Sequence, residues 1–516
     1  MTDINLPEIV GGIPTAQDPG NAKPASAESP RSEALGSRVF RNIMTLVGGQ
    51  GLGLMLSGAA TILLARYLGT VQLGEFGGLY AYVGLYGWLT TFGLETIHAR
   101  QVAQNRQQAG SILLTGVCLS ALFAMGSAAI ALALAPSLGY SGELRTLMAF
   151  ACVDVLLLAP LRLPGIVFQV DLRQWYVVGV GLFRQLVWLL VLVALAAAKA
   201  GLLWIIVGRT ICALLEVTLI FVVIQKKGFL AGPWRVLSSE AVRYLSYGFP
   251  LAMSTLAVGI YQRIDQVMLH RMASDLVLGN YVASVRLTEL INLFPIAVMA
   301  SMFPILAQAV GEEDRFLEYL RLSFRSLMAL AFGVCVFVTL FSGVLVRWVY
   351  GMKFAAAGPS LAVLIWSEVP VFFGVVLSNG LIAKNLQTYI PLSTAVGAAT
   401  NVVLNLWFIP HWGAVGSAWA TNISYAVAAI FLFLLFPRTR TMAWLGFRIL
   451  APPCFLALFI TALLKMIPLP GFFSFVTAVT LYGLGAWLLG IVRRSDADQA
   501  LRLMGNQLVL FKKYSH

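Results

Sequence analysis

The sequence predicts an all-α integral membrane protein, and composition, recurring apolar runs and an internal repeat predict it together. Of 516 residues, 59% are hydrophobic and only 11% are charged, at a mean hydropathy of +0.84. That balance lies far from a water-soluble domain. Apolar runs of about 20 residues recur roughly every 30 to 40 positions, and each can cross a hydrocarbon core of about 30 Å as a helix. No strand-like alternation is present, so helices rather than a barrel must satisfy the backbone in lipid. The repeat lies in LLARYLGTVQLGEFGGLYA, starting at Leu63, whose frame returns in MLHRMASDLVLGNYVAS without a gap. Leu64 falls on Leu269, Arg66 on Arg271, Leu73 on Leu278, Gly74 on Gly279 and Phe76 on Tyr281. In each copy an apolar helix ends near an Arg, and a Leu-Gly-x-aromatic step is expected to turn the chain into the next helix.

Taken in order, residues 1–36 are polar and rich in Pro, Ala, Ser and Gly, and read as a disordered cytoplasmic tail without a cleavable signal peptide. An N-terminal lobe over 37–225 holds six spans, at about 40–64, 77–96, 111–134, 146–168, 177–198 and 202–224. Gly49 and Gly53 in the first are four apart and offer a small-residue face for close helix packing. The polar stretch 226–247 is an inter-lobe linker, part of which can lie as an amphipathic helix at the interface. A C-terminal lobe over 248–437 repeats the six spans, at about 248–269, 281–305, 327–350, 360–382, 389–409 and 415–436. Two more helices within 438–495, at about 446–467 and 471–492, make about 14 spans, and 496–516 forms a second cytoplasmic tail.

The net charge of +13 is dispersed over alternate links, among them Arg100, Arg106, Lys226, Lys227, Arg315 and Arg438. This is a topology signal rather than a nucleic-acid patch, and it places both termini in the cytoplasm. An even number of helices per repeat inserts the two lobes in the same sense, with a cleft between them. The cysteines Cys118, Cys152, Cys212, Cys335 and Cys454 lack metal-ligand or CxxC spacing and read as buried free thiols.

Charges inside spans are costly unless they face water or a partner, and they mark the candidate site. They are Asp154, Arg184, Arg209, Glu216, Arg263, Asp265, Arg286 and Glu289. Guanidinium groups suit an anionic ligand, because their planar fork grips phosphate through two hydrogen bonds. Arg184, with no opposite charge within a turn, is the first candidate. Arg263 and Asp265 do not share a helix face, so one of them is expected at the cavity. Arg286 and Glu289 are spaced to neutralise each other, and Asp154, Arg209 and Glu216 to bridge helices. Arg66 and Arg100 sit near helix ends, where snorkelling to headgroups competes with a ligand role. Asp265, Asp154, Glu216 and Glu289 are the candidates for carrying a coupling H⁺ or Na⁺; no other cofactor and no metal are expected. Prolines inside spans, including Pro160, Pro164, Pro295, Pro304, Pro370 and Pro391, allow the helices to bend.

Walker, HExxH, GxSxG and zinc patterns are absent, which speaks for a transporter rather than an enzyme. The segments LLARYLGTVQLGEFG, GLETIHARQVAQ, YQRIDQVMLHRMASDLVLGNYVASVRLTE, VRWVYGMKFAAAGPSLAVLIW and NVVLNLWFIPHWGAVGSAWATNIS resemble successive hallmarks of one family. It is the polysaccharide-transporter branch of the multidrug/oligosaccharidyl-lipid/polysaccharide (MOP) exporter superfamily, and the likeness runs over about residues 38 to 436. The resemblance implies a MATE/MOP-like fold and a Wzx-like flippase for undecaprenyl-pyrophosphate-linked oligosaccharides. It further implies alternating access between lobes, with basic cavity residues engaging pyrophosphate and acidic sugars. Arg66, Arg100, Arg263 and Asp265 stand at motif positions, whereas Arg184 and Arg209 rest on the charge argument alone. A monomer in the cytoplasmic membrane, working beside a polysaccharide polymerase and copolymerase, is the expectation. Two alternatives stay open: a multidrug cation antiporter of the same superfamily, which needs an acidic cavity, and a membrane-embedded glycan polymerase or ligase, which the short outer links disfavour.

Overall fold

The computed structural model describes residues 30–140, 142–228, 233–467 and 470–492. Most of the expected N-terminal tail and all of the C-terminal one lie outside the described residues. Helices form nearly the whole described chain, and no strand occurs among the described residues, as the backbone's need for internal hydrogen bonds in lipid requires. Ten stretches are long and apolar enough to span a membrane. Two of these, Gly48–Gln104 and Tyr389–Leu435, contain breaks at Gly69 and Gly413. The ten do not by themselves give the fourteen spans expected: helix Ser238–Met272 is long but less apolar, and Phe473–Leu488 is short. The protein is a multi-pass membrane protein.

Helix α1 (Pro30–Leu85) starts ahead of the boundary expected at residue 37 and breaks at Gly69, whose φ of 74° is costly for any residue with a side chain. The chain then continues through α2 (Leu94–Gln104), α3 (Ala109–Leu134), α4 (Glu143–Cys152), α5 (Trp175–Ala197) and α6 (Leu202–Lys227). Gly49 and Gly53 do form a packing face: a Cβ on Gly49 would stand 2.1 Å from Val178 on α5, and one on Gly53 3.3 Å from Gln185. The span expected at 146–168 is not one helix. A π turn at Val153–Leu157 and a 3-10 stretch at Pro160–Gly165 follow α4, because Pro160 and Pro164 cannot donate the backbone bonds that an α-helix needs.

Helix α7 (Ser238–Met272) absorbs the end of the linker, so residues 238–247 continue straight into the next span rather than forming a separate surface helix. A break at Ala273 and Ser274 leads to α8 (Asp275–Glu289), with the Ser274 hydroxyl accepting from the Val277 N–H. Then come α9 (Leu293–Gln308), α10 (Glu313–Tyr350), α11 (Ala357–Leu364), α12 (Glu368–Ala383) and α13 (Tyr389–Ala426). Helices α14 (Pro437–Met466) and α15 (Gly471–Leu488) close the described chain. Gly446 lets α14 sit against Phe324 and Phe373, and the Tyr482 hydroxyl donates to the Ala329 carbonyl at 2.6 Å. Of the cysteines, Cys152, Cys212 and Cys335 are buried as expected, Cys454 is half-buried and Cys118 is exposed; all are free.

The repeated glycines do not make the turns. The breaks come earlier, at Gly69 and at Ala273–Ser274, while Gly74 and Gly279 lie inside helices that press on each other. A Cβ on Gly74 would stand 2.0 Å from the Asp275 carbonyl oxygen, and one on Gly279 1.8 Å from that of Thr70. Thr70 and Asp275 are equivalents in the repeat, as are Gly77 and Val282, which also touch. The two copies therefore meet about a local pseudo-twofold axis. Replacing Gly279 with Ala forces the backbones apart at a cost of about 1–3 kcal/mol. The thermal unfolding midpoint in detergent should fall for Gly279→Ala and, by the same contact, for Gly74→Ala; unchanged midpoints would contradict this packing.

Candidate functional site

Below the glycine contact lie two adjoining cavities of about 610 and 540 Å³, whose walls share Gly77, Tyr80, Arg263, Arg286 and Glu289. The first is lined mainly by the half of the chain before residue 228. There α1 supplies Ser57, Thr61 and Tyr80, the π turn Asp154, the 3-10 stretch Arg162, α5 Arg184 and Gln185, and α6 Arg209 and Glu216. The second is lined mainly by the later half. The irregular turns after α4 matter here, because they bring Asp154 and Arg162 into the same chamber.

Pairing decides how much of this charge a ligand meets. Arg209 donates to Asp154 at 2.8 Å and lies over the Tyr80 ring at 4.4 Å, while the Tyr80 hydroxyl reaches the same carboxylate at 3.2 Å. Glu216 is shared: Arg162 lies 3.1 Å and Arg184 3.3 Å from its Oε2. Arg184 is therefore not the unpaired cation its own helix suggests, since Glu216 reaches it from α6. Arg286 pairs with Glu289 one turn on, at 2.6 Å. Arg263 has no carboxylate partner among the described residues, and its guanidinium lies against Gly84, where a Cβ would approach Nη1 to 2.6 Å. In the first chamber five arginines (162, 184, 209, 263 and 286) face three carboxylates (154, 216 and 289), an excess of two positive charges. One resides on the pair sharing Glu216 and one on Arg263.

Asp265, two residues from Arg263, is buried and lines the second chamber, where the Tyr281 hydroxyl donates to it at 2.6 Å and the Gln266 N–H at 2.7 Å. The Tyr281 hydroxyl also contacts that of Thr421 at 3.3 Å. Two expected site residues stand elsewhere. Arg66 lines neither cavity; its guanidinium donates to the Trp348 and Val349 carbonyls, both at 2.6 Å, at the end of α10, where helical carbonyls lack partners of their own. Arg100 is exposed on α2 and lines neither chamber. The sequence reading passed over Arg162 and Glu368, although both fall inside expected spans and carry the same signal as the residues it chose. It also passed over Tyr261 and Tyr425, whose rings stack at 4.1 Å in the second chamber; isolated tyrosines in apolar runs give no such signal. No cluster of metal-ligating side chains occurs among the described residues.

A family model described as "Polysaccharide biosynthesis protein" matches residues 63–359, which include both glycine copies and most of the first chamber. The chain is 22% identical over 388 residues to the "Probable low-salt glycan biosynthesis flippase Agl15" of Haloferax volcanii, covering 74% of this chain and 79% of that protein. It is 25% identical over 185 residues to "Probable flippase AglR" of the same organism, covering 34% and 38%. Among solved structures it resembles "Lipid II flippase MurJ, inward closed conformation", with a TM-score of 0.66 and 12% identity over 87% of this chain and 98% of that one. It also resembles an inward-facing multidrug resistance MATE transporter of the MOP superfamily, with a TM-score of 0.57 and 16% identity over 84% of this chain and 100% of that one. With more than half its length matched, and with a fold shared with MurJ and the MATE transporters, the chain belongs to the polysaccharide biosynthesis protein family.

Proposed function

We propose that this protein is a flippase that carries a polyprenyl-pyrophosphate-linked oligosaccharide across the cytoplasmic membrane, in the assembly of an exopolysaccharide or O-antigen-type polymer. The observation that carries the reading is the excess of two guanidinium charges in a chamber between the two halves of the chain. A pyrophosphate diester bears about two negative charges, so it neutralises that excess. A multidrug cation carrier needs the opposite sign. The names of the Haloferax relatives support the flippase class and a glycan cargo.

The chemistry is binding and release. Arg263 offers an unshared guanidinium fork, and Arg162 or Arg184 leaves Glu216 to its neighbour when a phosphate arrives. A charge-assisted pair replaces another, so the step is nearly balanced except for the net neutralisation. The polyprenyl chain stays in lipid while the polar head occupies the chambers. Where Gly74 meets Gly279, backbones in contact leave no room for a sugar, so that end is shut in this state. Rocking the halves about the cavity opens it and closes the other, which is alternating access. We assign the coupling H⁺ or Na⁺ to Asp265, since Asp154, Glu216 and Glu289 already hold arginines and Asp265 holds only neutral donors. Both termini are placed in the cytoplasm, and the protein works as a monomer upstream of a polymerase and copolymerase.

Deleting the gene should leave complete lipid-linked units on the cytoplasmic leaflet; their normal arrival outside would overturn the reading. Arg263→Ala should reduce export by about tenfold or more at equal protein level, as loss of one desolvated phosphate contact implies. Arg100→Ala, outside both chambers, should leave export unchanged. In proteoliposomes, Asp265→Asn should abolish the response of transport to imposed H⁺ or Na⁺ gradients while leaving binding of the pyrophosphate lipid intact; a response equal to the wild type would remove Asp265 from the coupling role.

A further inference from the structure

The two halves also meet at the end of the molecule away from the glycine contact, and there the chain itself ties them together. Residues 233–237, which lead into α7, lie along α3 of the first half. The Ser111 hydroxyl donates to the Pro233 carbonyl at 2.6 Å and accepts from the Arg235 N–H at 3.2 Å, and the Leu237 N–H donates to the Thr115 hydroxyl at 2.9 Å. The Leu237 side chain packs on an apolar cluster drawn from the first half, including Val102, Ile112 and Ile166. Tyr244, on α7, is buried, and its ring meets that of His98 on α2 edge-on at 4.9 Å. His98 in turn is wedged against α3, where a Cβ on Gly116 would stand 2.4 Å from its Nε2.

Beyond Tyr244 the contact is made of backbone. Phe92 and Gly93, with φ of 43° and 68°, break the helix just ahead of α2. Gly248 of α7 sits on that break: a Cβ there would stand 2.5 Å from the Phe92 carbonyl oxygen, and one on Gly93 2.4 Å from Leu251 Cβ. Past this point α7 changes sides. Tyr261 packs on Gly397 of α13, where a Cβ would stand 2.7 Å from its ring. Helix α7 therefore starts in the first half and ends in the second. In its last turn His270 crosses the halves again, its ring stacked on Tyr140 at 4.1 Å beside the glycine contact. Charged groups surround this second crossing: Asp275 lies 2.7 Å from the imidazole, and the Glu75 carboxylate is near enough to act on both. A joint rimmed by charges is readily wetted when it parts, whereas the Gly248 contact offers water only apolar and backbone surface.

We infer that the α2–α7 contact is the fulcrum of the transport cycle: it stays closed while the Gly74–Gly279 contact parts, and α7 tilts on it as a lever. This rests on the alternating access of the flippase reading and names the point about which the halves turn. With no side chain between Gly248 and the Phe92 carbonyl, α7 can pivot there without displacing a rotamer. From Gly248 to His270 the helix runs about 33 Å, so a tilt of about 10° carries its far end about 6 Å. That is enough to separate rings stacked at 4.1 Å. The end of the molecule that holds the fulcrum then opens and shuts only on the side away from α2 and α7.

The test is thiol cross-linking of the full chain in nanodiscs, with the five native cysteines replaced by alanine. His98→Cys with Tyr244→Cys reports on the fulcrum, Tyr140→Cys with His270→Cys reports on the glycine contact, and one bifunctional methanethiosulfonate bridges either pair. Gly279→Leu supplies a wedge, since a side chain there runs into the Thr70 carbonyl. In the wedged protein the yield of the Tyr140–His270 pair should fall about tenfold or more, while that of the His98–Tyr244 pair stays within about twofold of its unwedged value. A fulcrum pair lost together with the other, or a Tyr140–His270 pair that the wedge leaves linked, overturns the inference. Where the wedge prevents folding, transport of undecaprenyl-pyrophosphate-linked N-acetylglucosamine in proteoliposomes decides instead. Linking the fulcrum pair should leave transport running, and linking the other pair should stop it until a reductant is added; arrest by the fulcrum link, relieved by reductant, is the contrary result. Thr115→Cys with Leu237→Cys repeats the fulcrum arm without touching His98. Failure of the unlinked protein to move this lipid would remove the flippase reading alone, with the cross-link yields still deciding the fulcrum.

Discussion

The structure depends on how closely two stretches of backbone approach. Gly74 and Gly279 bring the start of α1's second segment, after Gly69, and the start of α8 into backbone contact without side chains between them. Everything at the centre follows from that. With one end of the interface drawn tight, Tyr80 further along α1 and Arg286 and Glu289 further along α8 face open volume, as does Arg263 on the neighbouring α7. Packing in membranes rewards small residues because lipid offers no hydrophobic penalty for separation, so close van der Waals contact supplies the adhesion. A repeat that reuses the same glycine therefore produces a self-matching interface, and the cavity beside it inherits walls from both copies.

The second determinant is the economy of charge in a medium that punishes it. Each intramembrane carboxylate of the first chamber is taken by an arginine from another helix or from one turn away, and none is left bare to lipid. Sharing one carboxylate between Arg162 and Arg184 leaves one positive charge over, and Arg263 leaves the other. A strictly one-to-one set would give a neutral hollow. The irregular segment after α4 is part of the same design, since an unbroken helix would turn Arg162 on a different schedule from Asp154.

The helical character and the repeat were legible because their signals are local: hydropathy over a window, and a recurring Leu-Gly-x-aromatic frame. The meaning of the repeated Gly was misread, because a glycine that makes a turn and a glycine that admits a neighbouring helix look alike in sequence. Gly69, in the left-handed region, is the turn; Gly74 is the contact. Which charges are paired was legible in part: Arg286 with Glu289 follows from their spacing, and Arg209 with Asp154 bridges helices as expected, but the partner of Arg184 does not show in its own helix. Arg184 looked unpaired only because Glu216 comes from a different helix, whereas Arg263 and Asp265, expected on different faces, do answer to different surroundings. Conversely, Arg66, prominent in the repeat, proves to be a helix-capping group rather than part of a wall.

That capping arrangement has an evolutionary side. Arg66 reaches across from the first half of the chain to the main-chain oxygens of Trp348 and Val349, not to their side chains. Any amino acid at those two positions presents the same acceptors, so substitutions there leave the clasp intact, and drift on one side of the joint needs no matching change on the other. The donor has no such freedom, because lysine lacks the rigid fork that engages two oxygens together. Within a lineage, then, position 66 should hold still while positions 348 and 349 wander.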